Sequence, residues 1–188
     1  MTTFRIRMAF FAAIFFALAV SYAFADGEVQ VESQLTFPFS MRQSTEDSKV
    51  WSGLVVSVSD GDSITVLHDG KGENIRLYGI DAPEIGQAFS KRAKQMTSGM
   101  VYGKTVKVEV MDKDPYGHTV GIVTIDGKSL NESLIKNGLA WVYQKYCNAV
   151  FCENWVNLEI VARYAKIGIW SEPNPLPPWE FRHKGGSP

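Results

Sequence analysis

The alternation of apolar and polar side chains between Trp51 and Glu84 constrains the fold more than any other feature of the chain. In WSGLVVSVSDGDSITVLHDGKGENIRLYGIDAPE, aliphatic and β-branched residues alternate with polar ones, the period of a strand with one buried face. The alternation breaks at residues 60–61 (DG) and 69–72 (DGKG), which are turn sequences. The pattern therefore predicts three strands in an antiparallel meander.

The chain beyond this meander supplies further strands and helices. Apolar residues from Phe89 to Met100 recur at intervals of four, three and four, which predicts a helix from about Ala88 to Val101. KTVKVEVMD and HTVGIVTI alternate like strands, a capping box at Ser129 begins a second helix, and a third follows the cysteines. A five-stranded barrel with a helix between its third and fourth strands is the OB arrangement. The predicted class is α+β, mainly β, with about three helices.

The two ends of the chain lie outside this pattern. Residues 1–25 carry arginines at positions 5 and 7, continue with an uncharged run and end in AFA. This order is typical of a cleaved signal peptide. A retained membrane anchor is the alternative, because the run is near the lower length limit for spanning a bilayer. Cleavage after Ala25 predicts a periplasmic or secreted protein. We expect residues 26–50 to form a flexible arm, residues 51–172 one domain, and the proline-rich residues 173–188 an extended or free tail.

The charge of the chain limits how it can meet nucleic acid. The net charge is −1 for all 188 residues. Residues 1–25 hold two arginines and no acids, so cleavage would leave 17 basic and 20 acidic side chains, a net charge of −3. A protein that coats nucleic acid is usually strongly basic, so phosphates would have to be bound in a local pocket.

The two cysteines, Cys147 and Cys152, lie close together in YCNAVFCEN. In an exported protein this spacing predicts a disulfide that closes a short loop. Two buried thiols are the alternative, and a zinc site is disfavoured because the neighbourhood lacks two more ligands.

Three turns carry charged side chains that packing does not require: DGDS (60–63), RLYGIDAPE (76–84) and DPYGH (114–118). Each has an ordinary explanation by itself, as a hairpin turn, a surface salt bridge or a β-turn with a solvated histidine. Arginine can bind phosphate through two parallel hydrogen bonds, and carboxylates such as those of Asp62 and Asp81 suit calcium. Taken singly, each turn leaves both explanations open.

In their order and spacing, these turns and DGKSLNESLIKNGLAWVY resemble the staphylococcal nuclease (thermonuclease) family over about residues 51–170. The resemblance implies an OB-fold, calcium-dependent phosphodiesterase. It also implies that the calcium ligands are Asp62, Asp81 and the carbonyl of Ala82, with Asp60 supporting them. Glu84 would hold the attacking water as general base.

Phosphate binding has an expected and an unusual participant. The resemblance implies that Arg76 binds the phosphate and stabilises the developing charge. His118 stands where the family's D-x-Y-G-R turn has a second arginine, which implies a catalytic position filled by a side chain with less charge and no guanidinium fork, and hence a slower enzyme. Tyr116 and Tyr143 could stack on a base, with ordinary packing as the alternative.

The resemblance thus implies a calcium-dependent nuclease that cleaves DNA and RNA with little sequence specificity where strands are open, and leaves 3′-phosphate ends. A monomer without membrane association is expected after signal cleavage. The alternative is a weakened or inactive OB-fold module that binds single-stranded nucleic acid or a protein partner. The joint presence of Asp62, Arg76, Asp81 and Glu84 favours the enzyme, because a binding module does not need this set.

Overall fold

The computed structural model of the protein describes residues 50–185. Its strands are β1 (Val50–Val58), β2 (Ser63–His68), β3 (Lys71–Leu77), β4 (Ile80–Asp81), β5 (Thr105–Lys113), β6 (Thr119–Ile125), β7 (Lys128–Ser129) and β8 (Trp141–Val142). Its α-helices are α1 (Ser90–Val101), α2 (Leu130–Lys136), α3 (Cys152–Tyr164) and α4 (Pro178–His183).

The five long strands form a closed barrel. They are ordered β3-β2-β1-β5-β6, and β3 also pairs in parallel with β6, which closes the sheet. Helix α1 connects the third long strand to the fourth. The predicted α+β class and five-stranded OB barrel are confirmed, and the short strand β7 extends the sheet beyond β6.

The interior of the barrel is filled by the apolar side chains that the alternation predicted. Each such aliphatic side chain contributes about 1.5–3 kcal/mol by leaving water. Those buried on the long strands include Val55, Ile64, Val66, Ile75, Leu77, Val106, Val108 and Val123.

A two-stranded sheet outside the barrel was not predicted. Strand β4 pairs with β8, so that Asp81 lies opposite Trp141. Two-residue strands have no period to detect, which is why the sequence pattern did not reveal them. The pairing matters because it fixes the main chain at Asp81.

The first two helices follow the sequence closely. Helix α1 begins two residues later than expected, after Phe89, whose φ of 67° is left-handed. Helix α2 is capped as predicted, since the Ser129 hydroxyl accepts a hydrogen bond from the Glu132 N–H at 3.2 Å.

The predicted disulfide between Cys147 and Cys152 is present. It packs against Gly79, whose φ is 68°. A Cβ at Gly79 would lie 2.7 Å from the Cys147 sulfur. The bridge therefore supports the turn between β3 and β4.

The prediction of an extended or free C-terminal tail was wrong for residues 178–183. These residues form helix α4, with proline in its first turn. Proline is compatible with that position because the first N–H groups of a helix have no partner within the helix, and its fixed φ suits the helix. Pro178 is buried, and the Leu176 carbonyl accepts a hydrogen bond from the Gln87 side chain at 2.9 Å.

The predicted signal peptide, residues 1–25, and almost all of the predicted arm, residues 26–50, lie outside the described residues. Val50 is the exception, because it begins β1. Within residues 50–185, no helix is long and apolar enough to cross a bilayer.

Candidate active site

The turn between β1 and β2 directs the carboxylate of Asp62 into the protein. The Asp62 N–H donates to the Asp60 side chain at 3.0 Å, and its own carboxylate accepts from the Ala82 N–H at 2.8 Å. Gly61 allows this approach, because a Cβ there would lie 2.7 Å from the Ala82 methyl and 2.8 Å from that of Ala93. Asp62 is only 4% exposed and is joined directly to the segment that follows β4.

The segment from β3 to β4 places a second carboxylate beside the first. The left-handed Gly79 reverses the chain, and the pairing with Trp141 then holds Asp81 with 0% exposure. Arg76, near the end of β3, donates from Nη2 to Asp81 Oδ1 at 3.1 Å. Arg76, which the resemblance predicts to bind phosphate, and a buried acid therefore share one end of the barrel.

Glu84 lies on the loop that leads to α1. Its N–H donates to the Gln87 side chain at 2.8 Å, and the other end of that amide contacts the Leu176 carbonyl. Its carboxylate forms an ion pair with Arg182. The loop that carries Glu84 is thus tied to the C-terminal segment through both its main chain and its side chain.

Arg182 of α4 is a member of this cluster that the sequence did not predict. Its guanidinium donates to Asp81 from Nη1 at 3.2 Å and from Nη2 at 2.9 Å, and also to Glu84. The available signal was the aromatic pair Trp179 and Phe181 in WEFRH, since two large apolar side chains favour a segment that packs against the domain.

Burial shifts the pKa of both carboxylates upward. Burial raises the pKa of Asp62 to about 7; Arg76 opposes the shift and Asp60 adds to it. Burial also raises the pKa of Asp81 to about 6; its hydrogen bonds from Arg182 oppose the shift and the nearby Asp62 adds to it. A bound divalent cation would favour the ionised form of both acids.

The chemistry of these donors fits calcium. The predicted set consists of two carboxylates, Asp62 and Asp81, and the main-chain carbonyl of Ala82, all of them hard oxygen ligands. Within residues 50–185, no group of three or more His, Cys, Asp or Glu side chains is arranged to hold a metal. The resemblance implies that a third protein ligand is the main-chain carbonyl of Ala82.

The main chain and ring of His118 both contact Asp114 of the same DPYGH turn. The Asp114 carboxylate accepts from the His118 N–H at 2.8 Å and lies 2.8 Å from His118 Nδ1. It also accepts from the Tyr116 N–H at 2.9 Å. Within the described part of the chain, the hydrogen bonds of the His118 ring go to Asp114 and not to the buried acids.

The two tyrosines predicted to meet a base have different surroundings. Tyr116 is 86% exposed at the tip of its turn. Tyr143 follows β8, and its ring stacks on Trp179 at 4.7 Å between centroids with an angle of 10°. Tyr143 therefore helps to hold α4.

Comparison with known proteins agrees with this fold. The family model described as staphylococcal nuclease homologue matches residues 74–172. Protein ParB of Escherichia coli is 36% identical over 152 residues, which cover 74% of this chain and 85% of that protein. An uncharacterized endonuclease of E. coli O157:H7 is 39% identical (70% and 85% covered), and micrococcal nuclease of Shigella flexneri is 34% identical (69% and 79% covered).

The small barrel, with carboxylates and arginines at one end, and the similarity to a micrococcal nuclease and an endonuclease identify a hydrolase of the nuclease class. The chain belongs to the family of staphylococcal nuclease homologues. That family acts on nucleic acids and needs a metal ion for its chemistry.

Proposed function

We propose that this chain is a calcium-dependent nuclease that hydrolyses phosphodiester bonds of DNA and RNA with little sequence preference and leaves 3′-phosphate ends. The observation that carries the proposal is the convergence of Asp62, Arg76, Asp81 and Glu84 at one end of the barrel. These residue types in one place match the needs of phosphodiester hydrolysis: ligands for a cation, a base for water and a cation for phosphate.

The carboxylates of Asp62 and Asp81 and the carbonyl of Ala82 would hold calcium. When bound, the ion would supply Lewis-acid stabilisation of the phosphate and orient the attacking water. Asp60 acts on this set indirectly, because its hydrogen bond to the Asp62 N–H fixes the turn that presents the ligand. Support for calcium comes from the oxygen-only donor set.

Glu84 would act as the general base. Its carboxylate accepts a proton from water while the water oxygen forms a bond to phosphorus and the bond from phosphorus to the 5′ oxygen breaks. The products are a 3′-phosphate and a 5′-hydroxyl, whose proton comes from a donor in the site or from solvent. Arg76 would bind the non-bridging oxygens and stabilise the charge that develops on them.

We expect open single strands to be the preferred substrates, because their unpaired bases can stack on an exposed aromatic side chain. The exposed ring of Tyr116 offers a stacking surface, which can contribute about 1–3 kcal/mol per base. The chain is mildly acidic overall, so binding would rely on the arginines of the cluster rather than on a general positive field. We also propose a monomeric enzyme that is exported to the periplasm or beyond by residues 1–25; an N-terminus at Asp26 in the mature protein would support export.

The test is cleavage of a labelled single-stranded oligonucleotide by the purified full chain with Ca²⁺, with Mg²⁺ or with chelator. We expect cleavage with Ca²⁺, little with Mg²⁺ and none in chelator, because Mg²⁺ demands stricter octahedral geometry and keeps its water. Mass analysis of the fragments should show 3′-phosphates. Binding without cleavage in Ca²⁺ would support a non-catalytic nucleic-acid module, and full activity in chelator would exclude the metal assignment.

A further inference from the structure

The position of Arg182 is unexpected for a residue of a C-terminal tail. It lies 101 positions from Asp81 in sequence, yet both of its terminal nitrogens reach that carboxylate, and one also reaches Glu84. Its side chain is 37% exposed, so Arg182 contacts the carboxylates and is still partly open to solvent. A substrate phosphate could therefore reach it.

Several independent contacts hold α4 at this place. Trp179 stacks on Tyr143, which directly follows β8. Gln87 connects the Leu176 carbonyl to the N–H of Glu84. Arginine side chains lose up to about 2 kcal/mol of rotamer entropy when they are fixed, and a docked helix already orders the main chain around Arg182. The arginine is therefore positioned by packing and not only by its ion pairs.

Arg76 and Arg182 lie on either side of a single oxygen. Nη2 of Arg76 and Nη1 of Arg182 both donate to Oδ1 of Asp81, at 3.1 and 3.2 Å, so these nitrogens can be at most 6.3 Å apart. A phosphate that makes charge-assisted bonds of about 2.7–2.9 Å can bridge two donors at such a distance. The two arginines also repel one another: the pKa of Arg76 is raised, mainly by the charge of Asp62, and the charge of Arg182 opposes that rise. An anion bound between them would relieve this repulsion.

Three other side chains that could offer a positive charge contact other groups. The His118 ring contacts Asp114. Lys113 contacts the Thr119 hydroxyl at 3.5 Å, and Arg92 lies 5.3 Å from the centre of the Phe89 ring. Among residues 50–185, Arg76 and Arg182 are the two whose side chains form ion pairs with Asp81 or Glu84.

We propose that Arg182 is a substrate-binding residue of the active site, where it forms with Arg76 a two-arginine clamp on the phosphate to be cleaved. On binding, Arg182 exchanges its carboxylate partners for phosphate oxygens, which also releases Glu84 to act on water. The clamp thus draws its second arginine from the C-terminal helix and not from the DPYGH turn. This inference rests on the proposed nuclease function.

The test measures binding apart from turnover. Fluorescence anisotropy with a short fluorescein-labelled oligothymidylate is recorded in chelator for the full chain and for Arg182→Ala, Arg182→Lys and Lys184→Ala. A second series uses Ca²⁺ in a Glu84→Gln background, which should not cleave. Lys184 is an exposed cation at the end of the same helix, so its variant controls for a general loss of charge.

We expect Arg182→Ala to weaken oligonucleotide binding by about tenfold or more and to lower the slope of log affinity against log salt by about 0.7, the value for one lost phosphate contact on a single strand. Arg182→Lys should recover part of the affinity, because it keeps the charge but not the fork. Lys184→Ala should bind like the unmodified chain. Near-ultraviolet circular dichroism, which reports the stacked Trp179, should show that α4 remains docked in Arg182→Lys.

Two results would overturn the inference while leaving the proposed function intact. In one, the unmodified chain binds and cleaves, and Arg182→Ala does so equally well. In the other, Arg182→Ala binds more tightly and cleaves faster, which would make Arg182 an inhibitory counter-ion. If the unmodified chain neither binds nor cleaves, the proposed function fails and the clamp fails with it.

Discussion

The DPYGH turn and the C-terminal helix offer the active site a cation in opposite ways. The turn has the sequence position of a phosphate clamp, but its carboxylate, Asp114, binds the His118 main chain and ring. The helix lies in a segment with no regular pattern, yet it delivers Arg182 to Asp81 and Glu84. In the proposed site, a catalytic charge comes from a different part of the chain, while the proposed calcium ligands and general base stay where the resemblance places them.

The largest expected effect is that of Glu84→Gln. Its residual activity is the baseline with which variants of the DPYGH turn and of α4 are compared. The amide keeps the shape and a hydrogen-bond acceptor for Arg182 but cannot take a proton. We expect turnover to fall by about 10²–10⁴-fold with oligonucleotide binding nearly unchanged. Single-turnover cleavage together with anisotropy measures both quantities, and unchanged turnover would remove Glu84 from the mechanism.

Trp179→Ala should have a smaller effect than Glu84→Gln or Arg182→Ala, because it weakens the docking of α4 while leaving Arg182 in the chain. We expect cleavage to fall about tenfold or more, toward the level of Arg182→Ala, since the clamp needs its arginine positioned within a fraction of an ångström. Steady-state rates with Ca²⁺ measure the effect, and Lys184→Ala serves as the matched control on the same helix. Full activity in Trp179→Ala would show that the docking of α4 is not required.

A smaller effect is expected from the Cys147→Ser, Cys152→Ser pair of substitutions. The bridge closes a loop of a few residues, for which chain entropy gives about 2 kcal/mol. Because the disulfide packs on Gly79, its loss should lower the melting temperature by several degrees and reduce cleavage a few fold through Arg76 and Asp81. A barrel that unfolds entirely at 25 °C, seen by far-ultraviolet circular dichroism, would contradict this expectation.

The smallest effect is expected from His118→Ala. The ring interacts with Asp114 at the surface, where screening by water leaves such a contact with little effect on stability. We expect cleavage within about threefold of the unmodified chain, measured under the same Ca²⁺ conditions. His118→Arg distinguishes the two regions further: a large gain in rate would show that the turn can still reach the phosphate.

The features of the fold and site that the sequence predicts are those that depend on local patterns. The period of two predicted the barrel strands, and the Asp-Gly sequences predicted the turn that presents Asp62. The capping box at Ser129 predicted the start of α2, and the short spacing between Cys147 and Cys152 predicted the disulfide.

The features that the sequence does not predict depend on contacts between distant segments. Strands β4 and β8 have two residues each, so only their pairing across the fold reveals them. Arg182 joins Asp81 across 101 positions, and the prolines before it argue locally against regular structure. Pro178 instead begins a helix, and no local pattern shows which acid the arginine of that helix will reach.

The most direct test is a side-by-side measurement of kcat/KM for Arg182→Ala and His118→Ala on one single-stranded oligonucleotide with Ca²⁺. If α4 supplies the second cation, Arg182→Ala should lose about 10²–10³-fold, the usual cost of removing a donor to a developing negative charge, while His118→Ala stays within about threefold. A larger loss in His118→Ala than in Arg182→Ala would contradict the account and assign the second clamp to the turn.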